Sequence, residues 1–214
     1  MIAELDLNML DQLGRTIAQL HEQPAPECLP KTFPYGMVYF PEAISDSPVP
    51  EYSDWLKEKL SYLSEKIPPG LPTGLIHGDV FNDNVLFAPH ANDSYHLAAI
   101  IDFEEACDYY QIFDIGMAIV GTCLHQGRLS LIKAKSLVGG YQSKRQLEAP
   151  EKESLQLFAE YAAAATSFWR FRQHHILKPD GNKANDYLEM KLLADQLHSI
   201  PEEQFRQALF FFPG

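Results

Sequence analysis

Residues 76–87 read IHGDVFNDNVLF, a run of mostly polar side chains between two short apolar stretches. Short apolar runs separated by polar residues are typical of β-strands. We therefore predict strands at residues 75–77, 85–87 and 97–101. Asp79 then follows the end of the first strand, and Asn84 precedes the second. The loop between these strands is predicted to present a carboxylate and an amide on the same side.

The spacing of His77, Asp79 and Asn84 is H-x-D-x-x-x-x-N. This is the spacing of a kinase catalytic loop, in which the Asp meets the substrate hydroxyl and the Asn binds a metal. A lone H-x-D also occurs in turns and metal-dependent hydrolases. The third predicted strand, however, ends in Asp102 and Phe103, which resemble the metal-binding D-F-G of kinases with Glu104 in place of Gly. Together, the two patterns predict a phosphotransferase loop.

Composition excludes several other classes of protein. The chain has 214 residues, 46% apolar and 21% charged, with a net charge of −12 and a pI near 5.0. An acidic surface argues against a nucleic-acid partner, since phosphate contacts need basic side chains. The acidic N-terminus lacks a signal-peptide pattern, and no apolar run approaches the ~20 residues of a membrane span. Three dispersed cysteines fit a reducing compartment, so we expect a cytoplasmic protein without membrane contacts.

Most of the remaining chain shows helical periodicity. We predict helices at residues 7–21, 53–67, 114–125, 129–141, 150–177 and 183–198, and a last one from residue 199 onward. Ser53 is the predicted cap of the second helix, and Ser199 with Glu202 has capping-box spacing. Residues 24–50 are proline-rich and predict an irregular connection, and residues 89–94 predict a turn.

These elements predict a mostly helical α+β domain with a β-hairpin inserted between its second and third helices. We divide this single domain into three parts. They are the leading helices and connection at residues 1–70, the loop and metal-binding hairpin at residues 75–103, and a helical subdomain at residues 113–214.

The motifs resemble those of the aminoglycoside phosphotransferase and choline kinase-like superfamily. The resemblance rests on HGD at residues 77–79, Asn84, IDF at residues 101–103 and FDIG at residues 113–116. Residues 75–87, ACD at residues 106–108 and FWRFR at residues 168–172 are most similar to homoserine kinases of the kinase-like type. The similarity covers nearly the whole chain and implies the C-terminal lobe of a protein-kinase-like fold.

The resemblance implies a role for each residue of the loop. Asp79 is the catalytic base or the carboxylate that orients the hydroxyl, and Asn84 and Asp102 hold Mg²⁺ on the ATP phosphates. His77 supports the loop structurally. Asp114 is expected to cap the following helix while bonding back to the loop, and a simple N-cap is the alternative.

Other charged residues are candidates for binding the acceptor. Glu104, Glu105 and Asp108 follow the metal-binding Asp and are predicted to hold an ammonium group, or else to be exposed loop acids. Arg170 and Arg172 are predicted to bind a carboxylate, or else to form surface ion pairs. The aromatic residues around them, Phe168, Trp169 and Phe171, are expected in the core.

The expected reaction is ATP- and Mg²⁺-dependent phosphorylation of a small hydroxylated amine, L-homoserine above all, which places it in threonine biosynthesis. Hydroxylysine, choline or an aminoglycoside are alternative acceptors. A non-catalytic binding or interaction module derived from this lobe is a second alternative. A metal-dependent hydrolase using His77 and Asp79 would leave Asn84 and the Asp-Phe strand unexplained.

Two parts that such kinases place upstream of the loop are not evident. The 76 residues before His77 contain no G-x-G-x-x-G, and Lys31, Lys57, Lys59 and Lys66 do not lie on an apolar strand. We therefore expect the β-rich N-terminal lobe to be absent and Mg·ATP to bind poorly to this chain alone. The surface that would face such a lobe is expected to be exposed and to favour a partner or a second copy of the chain.

Overall fold

The computed structural model describes residues 4–45, 47–89 and 94–211. The helices are α1 (Leu7–His21), α2 (Phe40–Ser45), α3 (Pro50–Lys66), α4 (Gln111–Thr122), α5 (Leu131–Gln142), α6 (Ala149–Phe171), α7 (Tyr187–Ser199) and α8 (Glu202–Phe210). The mostly helical α+β fold is therefore confirmed. None of the helices within the described residues is long and apolar enough to cross a membrane.

Within the described residues, six short strands form three antiparallel pairs. They are β1 (Thr73–Ile76), β2 (Val85–Pro89), β3 (Tyr95–Ile100), β4 (Cys107–Tyr110), β5 (Leu124–His125) and β6 (Arg128–Leu129). Strand β1 pairs with β4, β2 with β3, and β5 with β6, all antiparallel. The loop at residues 77–84 thus joins two separate strand pairs. Of the predicted turn at residues 89–94, residues 90–93 lie outside the described residues.

The centre of the core is α4, whose residues are all buried. A helix that is apolar on every side is typical of a fully enclosed position. It packs on α6, while α1 packs on α5 and α7 on α6. Helix α1 has the bounds that its periodicity predicts, and Asp6 caps it by accepting from the Met9 N–H at 2.9 Å. Because His21 is the last residue of α1, the helix delivers this buried side chain to the N-terminal part of α4.

Several predicted helix ends are wrong. Helix α3 begins at Pro50, because proline suits the first helical turn, and Ser53 lies inside it with its hydroxyl donating to the Ile44 carbonyl at 3.0 Å. The capping box at Ser199 is also wrong, because Ser199 still belongs to α7 and its hydroxyl donates to Gln196 O at 2.7 Å. Helix α8 starts after Pro201 without a side-chain cap.

The long sixth helix starts one residue before its predicted position and ends earlier as an α-helix. Glu148 and Glu151 form a reciprocal capping box at its start. After Phe171 the chain continues as a π-helix over Arg172–Leu177. π-Helical segments often accompany functional sites because they change the direction in which side chains point.

Two neighbouring glycines of α5 should respond in opposite ways to substitution by alanine. A Cβ on Gly140 would overlap the Asp11 carbonyl of α1, whereas a Cβ on Gly139 meets nothing within 4 Å. We expect Gly140→Ala to lower the free energy of unfolding by about 2 kcal/mol, because the helices must separate. Gly139→Ala should raise it by about 0.5–1 kcal/mol through higher helix propensity. Urea denaturation measures both, and equal effects would contradict the close α1–α5 contact.

Candidate active site

A buried carboxylate organises the start of the loop. Asp114, fully buried within α4, accepts hydrogen bonds from His77 N at 2.9 Å and Gly78 N at 2.8 Å, and its Oδ2 lies 3.1 Å from His21 Nε2. Burial acts to raise the pKa of Asp114, but the His21 contact and the loop amide outweigh it and lower the pKa. The expected N-cap role is wrong, because the cap position is Tyr110 and Asp114 lies inside the helix.

His77 connects the loop to the strand that precedes Asp102. The Asp79 N–H donates to His77 Nδ1 at 3.2 Å, so His77 Nε2 carries the proton and donates to the Ile101 carbonyl at 2.8 Å. The imidazole is completely buried and packs edge-on against Phe103 with ring centroids 4.5 Å apart. Since both ring nitrogens are engaged, His77 fixes the distance between the two segments.

Asp79 and Asn84 contact each other directly. The amide of Asn84 donates to Asp79 Oδ2 and to the Asp79 carbonyl, both at 2.9 Å. Asn84 is buried, while Asp79 is only partly buried. Burial and the nearby charge of Asp83 raise the pKa of Asp79. A partly buried carboxylate held by an amide is suited to orient a hydroxyl group.

The strand pairing brings Asp102 beside Asn84. Val85 pairs with Ile100, and Ile101 N–H donates to the Asn84 carbonyl at 2.9 Å. Asp102 follows immediately, is exposed, and has a φ of 66° in the left-handed region, which Asp tolerates better than most residues. Thus the amide residue Asn84 and the carboxylate residue Asp102 lie at neighbouring ends of β2 and β3.

A cavity of about 240 Å³ opens beside Asp79. Its lining is strongly acidic, with four carboxylates against one cation. The lining residues are Tyr35, Asp79, Phe81, Asp83, Glu104, Glu105, Thr166, Trp169 and Arg170. Burial, followed by the charges of Asp79 and Glu104, raises the pKa of Glu105. Carboxylates gathered in this way favour a cationic ligand that relieves their mutual repulsion.

The structure separates the predicted acceptor-side residues into two groups. Glu104, Glu105 and Arg170 line the cavity, and Arg170 also pairs with Glu189 at 2.7 Å. Asp108 and Arg172 are not among the lining residues that the structure describes. We do not retain them as acceptor-side candidates, because each is engaged elsewhere.

Asp108 and Arg172 each form an ion pair outside the cavity. Asp108 lies on β4 near Lys31, with 3.8 Å between the charged atoms, and Arg172 pairs with Glu42 at 2.8 Å. Both pairs are substantially exposed, so each is a weak contributor to stability.

The prediction that Trp169 lies in the core is wrong. Phe168 and Phe171 are fully buried as predicted, but Trp169 is 40% exposed and lines the cavity. Residues three apart share a helix face, whereas the residue between them points elsewhere. Two lining residues, Tyr35 and Thr166, are not predicted from the sequence. Tyr35 lies in the proline-rich connection, where no periodicity marks it, and Thr166 belongs to a helix face that reads as core.

The lysines that precede His77 do not lie on strands, as the sequence predicts. Among the described residues, no strand carries a lysine. Lys59 lies on α3 and forms a buried ion pair with Glu160 at 2.7 Å. This lysine is therefore a structural residue of the helical core.

Comparison with known families agrees with the loop geometry. The phosphotransferase enzyme family matches residues 3–175. The chain therefore belongs to this phosphotransferase family. Its curated relatives are named as small-molecule kinases.

Curated relatives include homoserine kinases. The one from Bartonella tribocorum is 29% identical over 186 residues, which are 84% of this chain and 57% of that protein. The one from Sinorhizobium medicae is 35% identical over 123 residues, which are 57% of this chain and 36% of that protein. The chain thus spans little more than half of the first relative and about a third of the second.

Solved structures share the fold at low identity. A choline/ethanolamine kinase family protein from Mesorhizobium loti has a TM-score of 0.67 and 15% identity, over 94% of this chain and 66% of that one. A spectinomycin phosphotransferase in complex with ADP and spectinomycin has a TM-score of 0.54 and 16% identity, over 98% of this chain and 66% of that one. These likenesses confirm the kinase-like fold.

Proposed function

We propose that this chain carries the catalytic loop of an ATP-dependent kinase that phosphorylates the hydroxyl of a small amino acid, L-homoserine. The observation that carries the proposal is the acidic cavity with Asp79 in its lining and Asn84 beside it. Asp79 would orient the acceptor hydroxyl and receive its proton. In a loose phosphoryl-transfer transition state, such positioning supplies much of the rate.

The donor set beside Asp79 fits Mg²⁺. Asn84 offers an amide oxygen and Asp102 an exposed carboxylate, and both are hard oxygen ligands. Mg²⁺ usually takes one or two protein carboxylates and completes its shell with phosphate oxygens and water. The described residues contain no cluster of three or more His, Cys, Asp or Glu that could hold a metal alone. When bound, the ion would neutralise charge on the ATP phosphates.

The cavity also has the charges that an amino-acid acceptor needs. Glu104 and Glu105 would bind the ammonium group, and Arg170 the carboxylate. The homoserine kinase relatives support the same acceptor. A second candidate is an amine without a carboxylate, such as choline or an aminoglycoside. It is favoured by the observation that Arg170 is already paired with Glu189.

Measurement of ADP release tests the proposal directly. The purified chain would be supplied with Mg·ATP and, in turn, L-homoserine, hydroxylysine, choline and an aminoglycoside, and calorimetry would report Mg·ATP binding separately. Turnover with L-homoserine supports the proposal. A preparation that binds Mg·ATP but phosphorylates no acceptor would contradict it. A folded preparation without nucleotide binding agrees with the poor Mg·ATP binding expected from the sequence, and calorimetry with L-homoserine alone would then test the acceptor site.

Substitution of Arg170 distinguishes the two acceptor classes. We expect Arg170→Gln to raise KM for L-homoserine about tenfold through loss of a charge-assisted contact, with little change for choline. Arg172→Gln is the matched control, since Arg172 is two residues away and pairs with Glu42 instead. An unchanged KM for L-homoserine in Arg170→Gln would exclude Arg170 from carboxylate binding.

A further inference from the structure

The hydroxyl of Tyr35 donates a hydrogen bond to the proposed catalytic carboxylate. Tyr35 Oη lies 3.4 Å from Asp79 Oδ1, and only 6% of the residue is exposed. Its ring packs against Phe33 and Trp169, with centroid distances of 4.3 Å and 6.3 Å. The ring is therefore held by its neighbours while the hydroxyl points at Asp79.

The connection that carries Tyr35 is anchored on both sides. Before it, the Pro30 carbonyl accepts from Asp108 N–H of β4 at 2.8 Å. After it, the Met37 N–H donates to the hydroxyl of Tyr161 on α6 at 2.8 Å. These bonds tie the connection to β4 and to α6, and α6 also lines the cavity through Trp169 and Arg170, so Tyr35 has a defined position in the cavity wall.

Each oxygen of the Asp79 carboxylate has its own donor. Asn84 donates to Oδ2 at 2.9 Å and Tyr35 to Oδ1. One donor alone would leave the carboxylate free to rotate about its Cβ–Cγ bond, a broad torsion in aspartate. Two donors from different elements define the plane of the carboxylate. The tyrosine hydroxyl belongs to no part of the loop motif and therefore adds a second constraint.

We propose that Tyr35 is a positioning residue that fixes the orientation of the Asp79 carboxylate toward the acceptor. This inference rests on the proposed function, in which Asp79 receives the acceptor proton. The aromatic ring of Tyr35 contributes to the cavity wall, whereas the hydroxyl acts through Asp79. Loss of the hydroxyl alone should thus affect turnover and leave acceptor binding nearly unchanged.

The test compares Tyr35→Phe with Tyr52→Phe. Tyr52 is the matched control, because its buried hydroxyl bonds to Ser167 Oγ at 3.1 Å in the core. We expect Tyr35→Phe to lower kcat about tenfold with a change in KM below about twofold, and Tyr52→Phe to leave both parameters near wild type. A kcat within about twofold of wild type in Tyr35→Phe would overturn the inference. A rise in KM of about tenfold in Tyr35→Phe would make Tyr35 a binding residue and would overturn the inference as well.

A second measurement needs no turnover. Crystal structures of the wild-type chain and of Tyr35→Phe should show the Asp79 carboxylate rotated by more than about 30°, or in two conformers, only in the variant. If wild type binds Mg·ATP but phosphorylates no acceptor, the proposed function fails, and this comparison alone decides the inference. An identical carboxylate orientation in both proteins would then overturn it.

Discussion

Asp79→Asn is expected to reduce turnover about 10³-fold and to leave the fold intact. Asparagine has nearly the same shape, and its single oxygen can still accept from Asn84 or Tyr35, but it cannot receive a proton from the acceptor. Because Asp79 is only partly buried, the free energy of unfolding should change by less than about 1 kcal/mol. A coupled ADP assay and urea denaturation measure the two quantities.

Asp108→Asn is the control for this substitution. Asp108 is an acid of similar burial that faces Lys31, outside the cavity. Turnover of Asp108→Asn should stay within about twofold of wild type, since it touches no group in the proposed reaction. Turnover of Asp79→Asn within about tenfold of wild type would exclude Asp79 as the catalytic carboxylate.

The second large effect is expected from Asp114→Asn. The buried carboxylate receives two backbone N–H groups of the loop and contacts His21. An amide has one acceptor oxygen, and its NH₂ group would face a backbone donor. We expect the free energy of unfolding at pH 7 to fall by about 2–4 kcal/mol. Urea denaturation measures this fall, and turnover should decrease as well because the loop loses its anchor.

The matched control is Asp11→Asn. Asp11 pairs with Arg15 on the surface of α1, and an exposed pair of this kind is worth about 0.5 kcal/mol. A loss of stability in Asp114→Asn no larger than that in Asp11→Asn would show that the buried bonds contribute little.

The pH dependence of stability provides an independent check on Asp114. Its pKa is lowered in the folded protein from an ordinary value of 3.8, so the unfolded chain takes up this proton first as the pH falls. The stabilisation is therefore nearly complete above about pH 5 and is lost as the pH falls through the unfolded and then the folded pKa. Asp114→Asn should lack this component, so urea midpoints of wild type and variant should converge in acid. Parallel midpoints down to pH 2.5 would contradict a role for the ionised carboxylate.

Local patterns in the sequence predict much of this fold. The apolar spacing in Leu7–His21 defines α1 completely, and the strands flanking the loop form where the short apolar runs occur. The spacing of Asp79 and Asn84 also predicts their proximity, because five residues allow only a tight loop. In each case the information lies within a few residues of the element concerned.

Features that depend on distant contacts could not be predicted in this way. Strand β4 exists because it pairs with β1, more than 30 residues earlier. The position of Tyr35 depends on bonds to β4 and α6, and the proline-rich segment itself carries no sign of them. The ion-pair partners of Asp108 and Arg172, which lie outside the cavity, are far away in sequence. Such pairings are decided by tertiary packing rather than by local propensity.

Two sets of elements build the cavity: the loop that carries Asp79, and α6. The loop residues are fixed by Asp114 and His77, whereas the opposite wall comes from Trp169 and Arg170 on α6. Neither α6 residue bonds to the loop in the described structure. Under the proposed function, selection can therefore vary position 170 to admit new acceptors without disturbing the loop, whereas position 169 is constrained because the Trp169 ring packs against Tyr35.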